Sequence, residues 1–76
     1  MIDWKQHIKT DQEIHHGTPC IAGTRIPVAI ILGSLADGMP AEEIISEYPQ
    51  LKPDDIQAAL AYASEVVTQE TFLLHA

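Results

Sequence analysis

Cysteine is almost absent from this chain. Cys20 stands alone, so an internal disulfide framework is excluded, and one leftover thiol suits a reducing compartment. Aromatic residues make up 5%, with one Trp, one Phe and two Tyr. Cations are scarce as well: four Lys plus Arg stand against eleven Asp plus Glu, for a formal charge of −7 and a pI near 4.7. Such a chain repels phosphate backbones and anionic membrane surfaces. The longest apolar run, Ile26 to Leu32, is interrupted by Pro27 and is far short of the ~20 residues a membrane span requires. No basic stretch followed by an apolar core opens the chain, so no export signal is expected, and the expected location is cytoplasmic with no membrane association.

What is present is one small domain. The 76 residues are 46% hydrophobic and 20% charged, too apolar for a disordered chain. At this mass about 60% of the unfolded chain's surface is hidden on folding, a marginal figure that disulfides, a metal or a second subunit usually supplement. With one cysteine, that leaves a compact helical core, a partner chain, or both.

Glycine and proline divide residues 1–76 into four parts. Residues 1–11 form an arm in which Trp4 and Ile8 have the spacing of one helical turn, with Trp4 expected to anchor on the main body. Residues 12–28 predict a β-ribbon turning at Ala22-Gly23, with Pro19 and Pro27 confining it to an edge. A lone ribbon is marginal, so it must lie on helices or pair with another chain. Residues 28–67 predict three helices. The first, over 27–38, carries Val28, Ile31, Leu32 and Leu35 at i, i+3, i+4, i+7 and ends at Asp37-Gly38. Its interior Gly33 costs about 1 kcal/mol relative to alanine, which predicts a close backbone approach there. The second, over 41–48, repeats the stripe with Ala41, Ile44, Ile45 and Tyr48. The third begins at Pro53, and Ile56, Ala59, Leu60, Ala63 and Val67 trace its inner face, with Leu51 and Ile56 placed as a hydrophobic staple. Residues 68–76 are expected as a C-terminal tail. The fold expected is thus mostly α, a β-ribbon followed by a three-helix bundle, and the tight pair of helices over 41–67 is an arrangement DNA-reading modules use.

The run Gly17-Thr-Pro-Cys-Ile-Ala-Gly-Thr-Arg-Ile-Pro-Val28 resembles the signature of the DUF433 family. So do Leu35-Ala-Asp-Gly-Met-Pro-Ala-Glu-Glu-Ile44, Tyr48-Pro49, and Leu51 to Ala63 with Asp55-Ile56 and Ala59-Leu60-Ala61-Tyr62-Ala63. The resemblance covers about residues 13–65. It implies a homeodomain-like helix-turn-helix fold headed by a β-ribbon, and an antitoxin role with a PIN-like nuclease toxin as partner. The family pattern places Ser or Thr where this chain has Pro40 and Lys52, so side-chain caps on the second and third helices give way to proline preorganisation.

The chemistry expected is that of contact surfaces. His15 and His16 are adjacent in an extended stretch and point to opposite faces, which prevents joint chelation; with His7 and His75 they predict no metal site. Cys20 lies near these histidines in sequence, but so small a bundle has little room for a water-excluding cleft, so no enzyme activity and no cofactor are expected. A DNA-reading third helix would offer Asp54, Asp55, Gln57 and Ala58 to the groove, two carboxylates where phosphates must be neutralised; the contacts left for nucleic acid are Arg25, Lys52 and Gln57, giving weak binding or binding only alongside a partner. Arg25 follows the ribbon turn in an uncharged run, where its guanidinium fork suits a carboxylate across a dimer seam or on a partner. The residues expected at a dimer or partner interface are Ile21, Thr24, Arg25, Ile26, Phe72, Leu73 and Leu74. The apolar triplet 72–74 either continues the third helix onto the bundle or docks in a partner's groove. The function expected is a non-enzymatic, homodimeric antitoxin-like module; the alternatives are a stand-alone helix-turn-helix regulator and a dimeric structural module.

Overall fold

A computed structural model describes residues 2–11 and 17–75, the last six of these as the course of a helix alone. The element order is a single 3-10 turn at Trp4–Gln6, strand β1 (Ile8–Lys9), strand β2 (Cys20–Ile21), then helices α1 (Val28–Ala36), α2 (Ala41–Glu47) and α3 (Pro53–His75). The fold is therefore mostly helical, three helices behind a short two-stranded antiparallel sheet.

Each helix has a local cause. Pro27 and Pro40, both in extended conformation, cap α1 and α2 without side-chain bonds, and Pro53 opens α3 at the first helical position, where its missing N–H costs nothing. α1 ends in a Schellman turn. Gly38 sits at φ +90, its N–H donates to Leu35 O at 3.0 Å, and the Met39 N–H donates to Ser34 O at 3.0 Å. At the start of α3 the Lys52 N–H donates to Asp55 Oδ2 at 2.9 Å. This is the reciprocal half of a capping box, kept although Lys52 supplies no hydroxyl. Leu51 and Ile56 flank it in the core, as the staple requires.

The core is built on isoleucine. Ile8, Ile21, Ile26, Ile31, Ile44 and Ile56 pack with Val28, Leu51, Ala58 and Ala59, while Trp4, Leu32, Leu35, Ile45, Tyr48 and Tyr62 close its rim. Ala58 and Ala59, fully buried, let α3 approach the other two helices closely.

The sheet differs from the ribbon expected over 12–28. β2 pairs with β1 of the arm in register Ile8↔Ile21 and Lys9↔Cys20. The returning segment closes the other side through a single Cys20↔Pro27 bridge, with the Ile21 N–H donating to Ile26 O and the Val28 N–H to Pro19 O, both at 3.0 Å. Pro27 has no N–H to extend that ladder, whereas Ile8 brings an apolar side chain that the core can bury. The arm is correspondingly not a helical turn spanning Trp4 to Ile8. A 3-10 turn places Trp4 against α3, and Ile8 has already entered the sheet. Residues 12–16, including His15 and His16, lie outside the described residues.

Of the two courses open to the segment drawn as a tail at 68–76, the backbone takes the helical one: α3 runs on to His75, 23 residues in all. One further expectation gives way. Gly33 meets no close backbone. It is exposed, and a Cβ built there would touch nothing within 4 Å. Since its φ is not positive, Gly33→Ala is expected to stabilise the protein by up to about 1 kcal/mol, measured as a higher urea midpoint at unchanged slope.

Candidate functional site

The Gly23-Thr24-Arg25 turn is the best-defined surface feature of the sheet end. Gly23 takes φ +79, a conformation open to glycine at no steric cost. Ile21 O accepts from both the Thr24 N–H at 3.0 Å and the Thr24 hydroxyl at 2.8 Å. The same hydroxyl oxygen accepts from the Ile26 N–H at 3.0 Å. Thr24 is thus an internal brace: it ties the two limbs of the turn together and leaves Arg25 exposed at its edge.

Arg25 lines an open groove of about 570 Å³ together with Lys9, Asp11, Thr18, Cys20 and Gln50. Lys9 and Arg25 bring two of the chain's four cations to one place. Gln50 was not singled out by sequence; Lys9, expected near Arg25 only on the ribbon side of a dimer, reaches the turn within one subunit because β1 pairs with β2 across a long loop. Cys20 is buried, with its thiol directed at Thr18 O at 3.5 Å.

Of the residues expected at an interface, the structure brings Ile21, Thr24, Arg25 and Ile26 into one turn but faces them differently. Ile21 and Ile26 belong to the subunit's own core, so they are withdrawn from any contact surface; the ribbon caps the bundle and buries its apolar side there. Phe72, Leu73 and Leu74 fall in the last turns of α3, and their side chains lie outside the described residues. Lys52 and Gln57 are exposed at the start of α3.

That same start corrects the expected groove-facing set. Asp55 is 8% exposed and Ala58 fully buried, so both face inward, and Asp54 and Gln57 alone of the four look outward. Asp55 is a clamp. Oδ2 accepts the Lys52 N–H at 2.9 Å, and Oδ1 lies 3.1 Å from Nδ1 of His7 in the arm, a side chain 26% exposed. The arm is held a second time by Trp4, whose indole N–H donates to Glu65 Oε2 at 2.6 Å and whose ring meets Tyr62 edge-on at 4.9 Å between centroids.

Charge is unevenly spread. α2 exposes Glu42, Glu43 and Glu47, and α3 opens with exposed Asp54. No Lys or Arg occurs after Lys52. Among the described residues no three His, Cys, Asp or Glu side chains gather closely enough to hold a metal ion, and no helix is long and apolar enough to cross a membrane.

These features define a class: a small three-helix domain headed by a two-stranded antiparallel ribbon with a braced Gly-Thr-Arg turn. The chain belongs to the DUF433 family, a family described as "Protein of unknown function", whose model matches residues 8–63. It is similar to the crystal structure of a DUF433 member protein from Anabaena variabilis ATCC 29413, with TM-score 0.76, 27% identity, and coverage of 92% of this chain and 69% of that one. It is also similar to the uncharacterized protein y4eO of Sinorhizobium fredii (strain NBRC 101917 / NGR234), 32% identical over 59 residues. That match takes in 78% of this chain but 27% of y4eO, so the domain corresponds to about a quarter of the curated relative's length.

Proposed function

We propose that the protein is a non-enzymatic interaction module of the antitoxin kind, which binds and restrains a PIN-like nuclease toxin. The observation that carries this reading is the exposed acid on the helical pair. Glu42, Glu43, Glu47 and Asp54 face outward from α2 and the start of α3, where a DNA-reading module would present cations. An enzyme that cleaves nucleic acid must carry a basic cleft, and an acidic surface meets such a cleft with complementary potential, which raises the association rate and blocks substrate entry. DNA is contacted, if at all, by the complex, with the partner supplying positive charge.

The test is reconstitution with a purified PIN-like nuclease from the same genome, beginning with any whose reading frame adjoins this chain's gene. Cleavage of single-stranded RNA by that nuclease is expected to stop at an equimolar ratio, and the charge-reversed variant Glu42→Lys/Glu43→Lys is expected to inhibit roughly 10-fold more weakly, each exposed charge contributing at most about 1 kcal/mol. Undiminished cleavage in the presence of excess protein would overturn the reading. Tight binding of duplex DNA by the chain alone at physiological salt would instead favour a stand-alone regulator.

A further inference from the structure

The groove beside the Gly23-Thr24-Arg25 turn has no part in the nuclease reading. Its volume of about 570 Å³ falls in the range of ligand pockets. Each group in it has a local cause. β1 pairs with β2 so that Lys9 stands opposite Cys20, which puts an exposed ammonium at the groove. Thr24 ties the turn together through Ile21 O and the Ile26 N–H, so Arg25 leaves from a braced backbone. Gln50, exposed in the connection from α2 to α3, adds an amide, and Thr18 adds a hydroxyl. Cys20 and Ile21 also line the groove and are buried. That side is closed to water, and attraction is screened less there than on an open surface.

Charge here runs against the rest of the chain. Lys9 and Arg25 are two of the four Lys and Arg in a chain of charge −7, and among the described lining residues one acid, Asp11, accompanies them. An anion is therefore attracted to this place and repelled by the exposed acid of α2. The choice among anions follows from where the other cations stand. Lys5 lies over the Trp4 ring on the arm, Lys52 precedes α3, and neither lines the groove. Two cations make a spot and not a track. A nucleic-acid strand gains affinity by neutralising phosphates along its length, and beyond this spot it would meet Asp11 and the acid of α2. A single carboxylate on an otherwise uncharged segment meets the cations at far smaller cost. The Arg25 guanidinium has the matching shape, two parallel N–H groups for two carboxylate oxygens. Its five donors let it serve a ligand while keeping a contact within the chain. The Gln50 amide and the Thr18 hydroxyl suit peptide N–H and C=O groups on either side of that carboxylate.

We propose that this groove binds a Glu or Asp side chain carried on an extended segment of a partner protein, its carboxylate seated between Lys9 and Arg25. The domain then meets other proteins through two surfaces of opposite preference. The exposed acid of α2 turns toward a basic surface, and the ribbon groove toward an isolated acid. Binding in the groove is measured on this chain alone, so it stands or falls apart from inhibition of a nuclease.

Heteronuclear NMR of the isotope-labelled chain tests it, with the blocked tripeptide acetyl-Ala-Glu-Ala-amide as the probe. Exposed ion pairs are weak, so a dissociation constant on the order of a few millimolar is expected at low salt. The amide signals of Lys9, Thr18, Gly23, Arg25 and Gln50 should move together, and the constant should rise as salt is added. The same peptide with Gln for Glu should bind at least about 5-fold more weakly. Arg25→Ala and Lys9→Ala should each weaken the Glu peptide by roughly 5-fold, the worth of one exposed charge. Arg25→Lys keeps the charge, loses the fork and should fall between wild type and Arg25→Ala. Both side chains are exposed, so unmoved signals from the core residues Ile56 and Ala59 report an intact fold in each variant. Equal binding of the Glu and Gln peptides, no saturable shift, or an Arg25→Ala chain that binds like wild type overturns the proposal. So does tighter binding of inorganic phosphate or of a short single-stranded oligonucleotide at the same signals, which would make the groove a phosphate site.

Discussion

Ile44→Ala is expected to remove about 3 kcal/mol of stability, because deletion of a fully buried isoleucine loses transfer energy and leaves a cavity. The position makes that loss unusually consequential. α2 is seven residues long, and Ile44 is its one buried residue; the cavity would therefore open beneath the whole helix. A domain of this length holds roughly 4–11 kcal/mol in total, so between a quarter and most of its stability is at stake. The melting temperature should fall by about 12–24 °C, at 4–8 °C per kcal/mol for domains of this size. Ile45→Ala, one position on and half-buried, should cost less than half as much. Equal losses at the two sites would show that α2 does not dock through Ile44 as described.

Asp55→Ala is expected to cost about 2 kcal/mol. One carboxylate holds both the amide at the start of α3 and the imidazole of the arm, and helix-start acceptors alone are worth about 1 kcal/mol. The rest is the His7 contact, which a double-mutant cycle with His7→Ala isolates; a coupling energy of about 0.5–1.5 kcal/mol is expected. Asp55→Asn retains one carbonyl acceptor and should lose roughly half as much as the alanine variant. A loss for Asp55→Ala below about 0.5 kcal/mol would mark the carboxylate as an ordinary surface group, contrary to its burial.

How far these sites were legible in the sequence depends on the range of the contact. The first two helices were readable because their stripes are local and prolines punctuate them: Val28, Ile31, Leu32 and Leu35 in α1, and Ala41, Ile44 and Ile45 in α2, all face the core or its rim. The far end of α3 was not, since Thr68-Gln69-Glu70-Thr71 interrupts the stripe with polar residues that form helix readily enough once the first turns exist. β1 escaped notice for a different reason. Two residues carry no period of their own, and the four-residue step from Trp4 to Ile8 imitates a helical turn. The fate of Ile21 and Ile26 turned on that error: a ribbon that had to lie on helices or pair with another chain was expected to offer them at an interface, whereas β1 pairs with β2 and Ile8, Ile21 and Ile26 join the subunit's own core. Gly33 misled because an exposed glycine leaves no mark of its surroundings in sequence. The His7–Asp55 contact spans 48 residues and was beyond any local reading, although the three-residue step from Lys52 to Asp55 already matched half of a capping box.

The docking of the arm also equips the molecule with its own optical gauge. Trp4 is the chain's single indole, and it rests between the Glu65 carboxylate and the edge of the Tyr62 ring. Its emission colour therefore follows release of the amino-terminal segment into water, while the helical signal in the far ultraviolet follows the bundle. Recording both through one titration tells whether the strap lets go before the body melts, with no label attached.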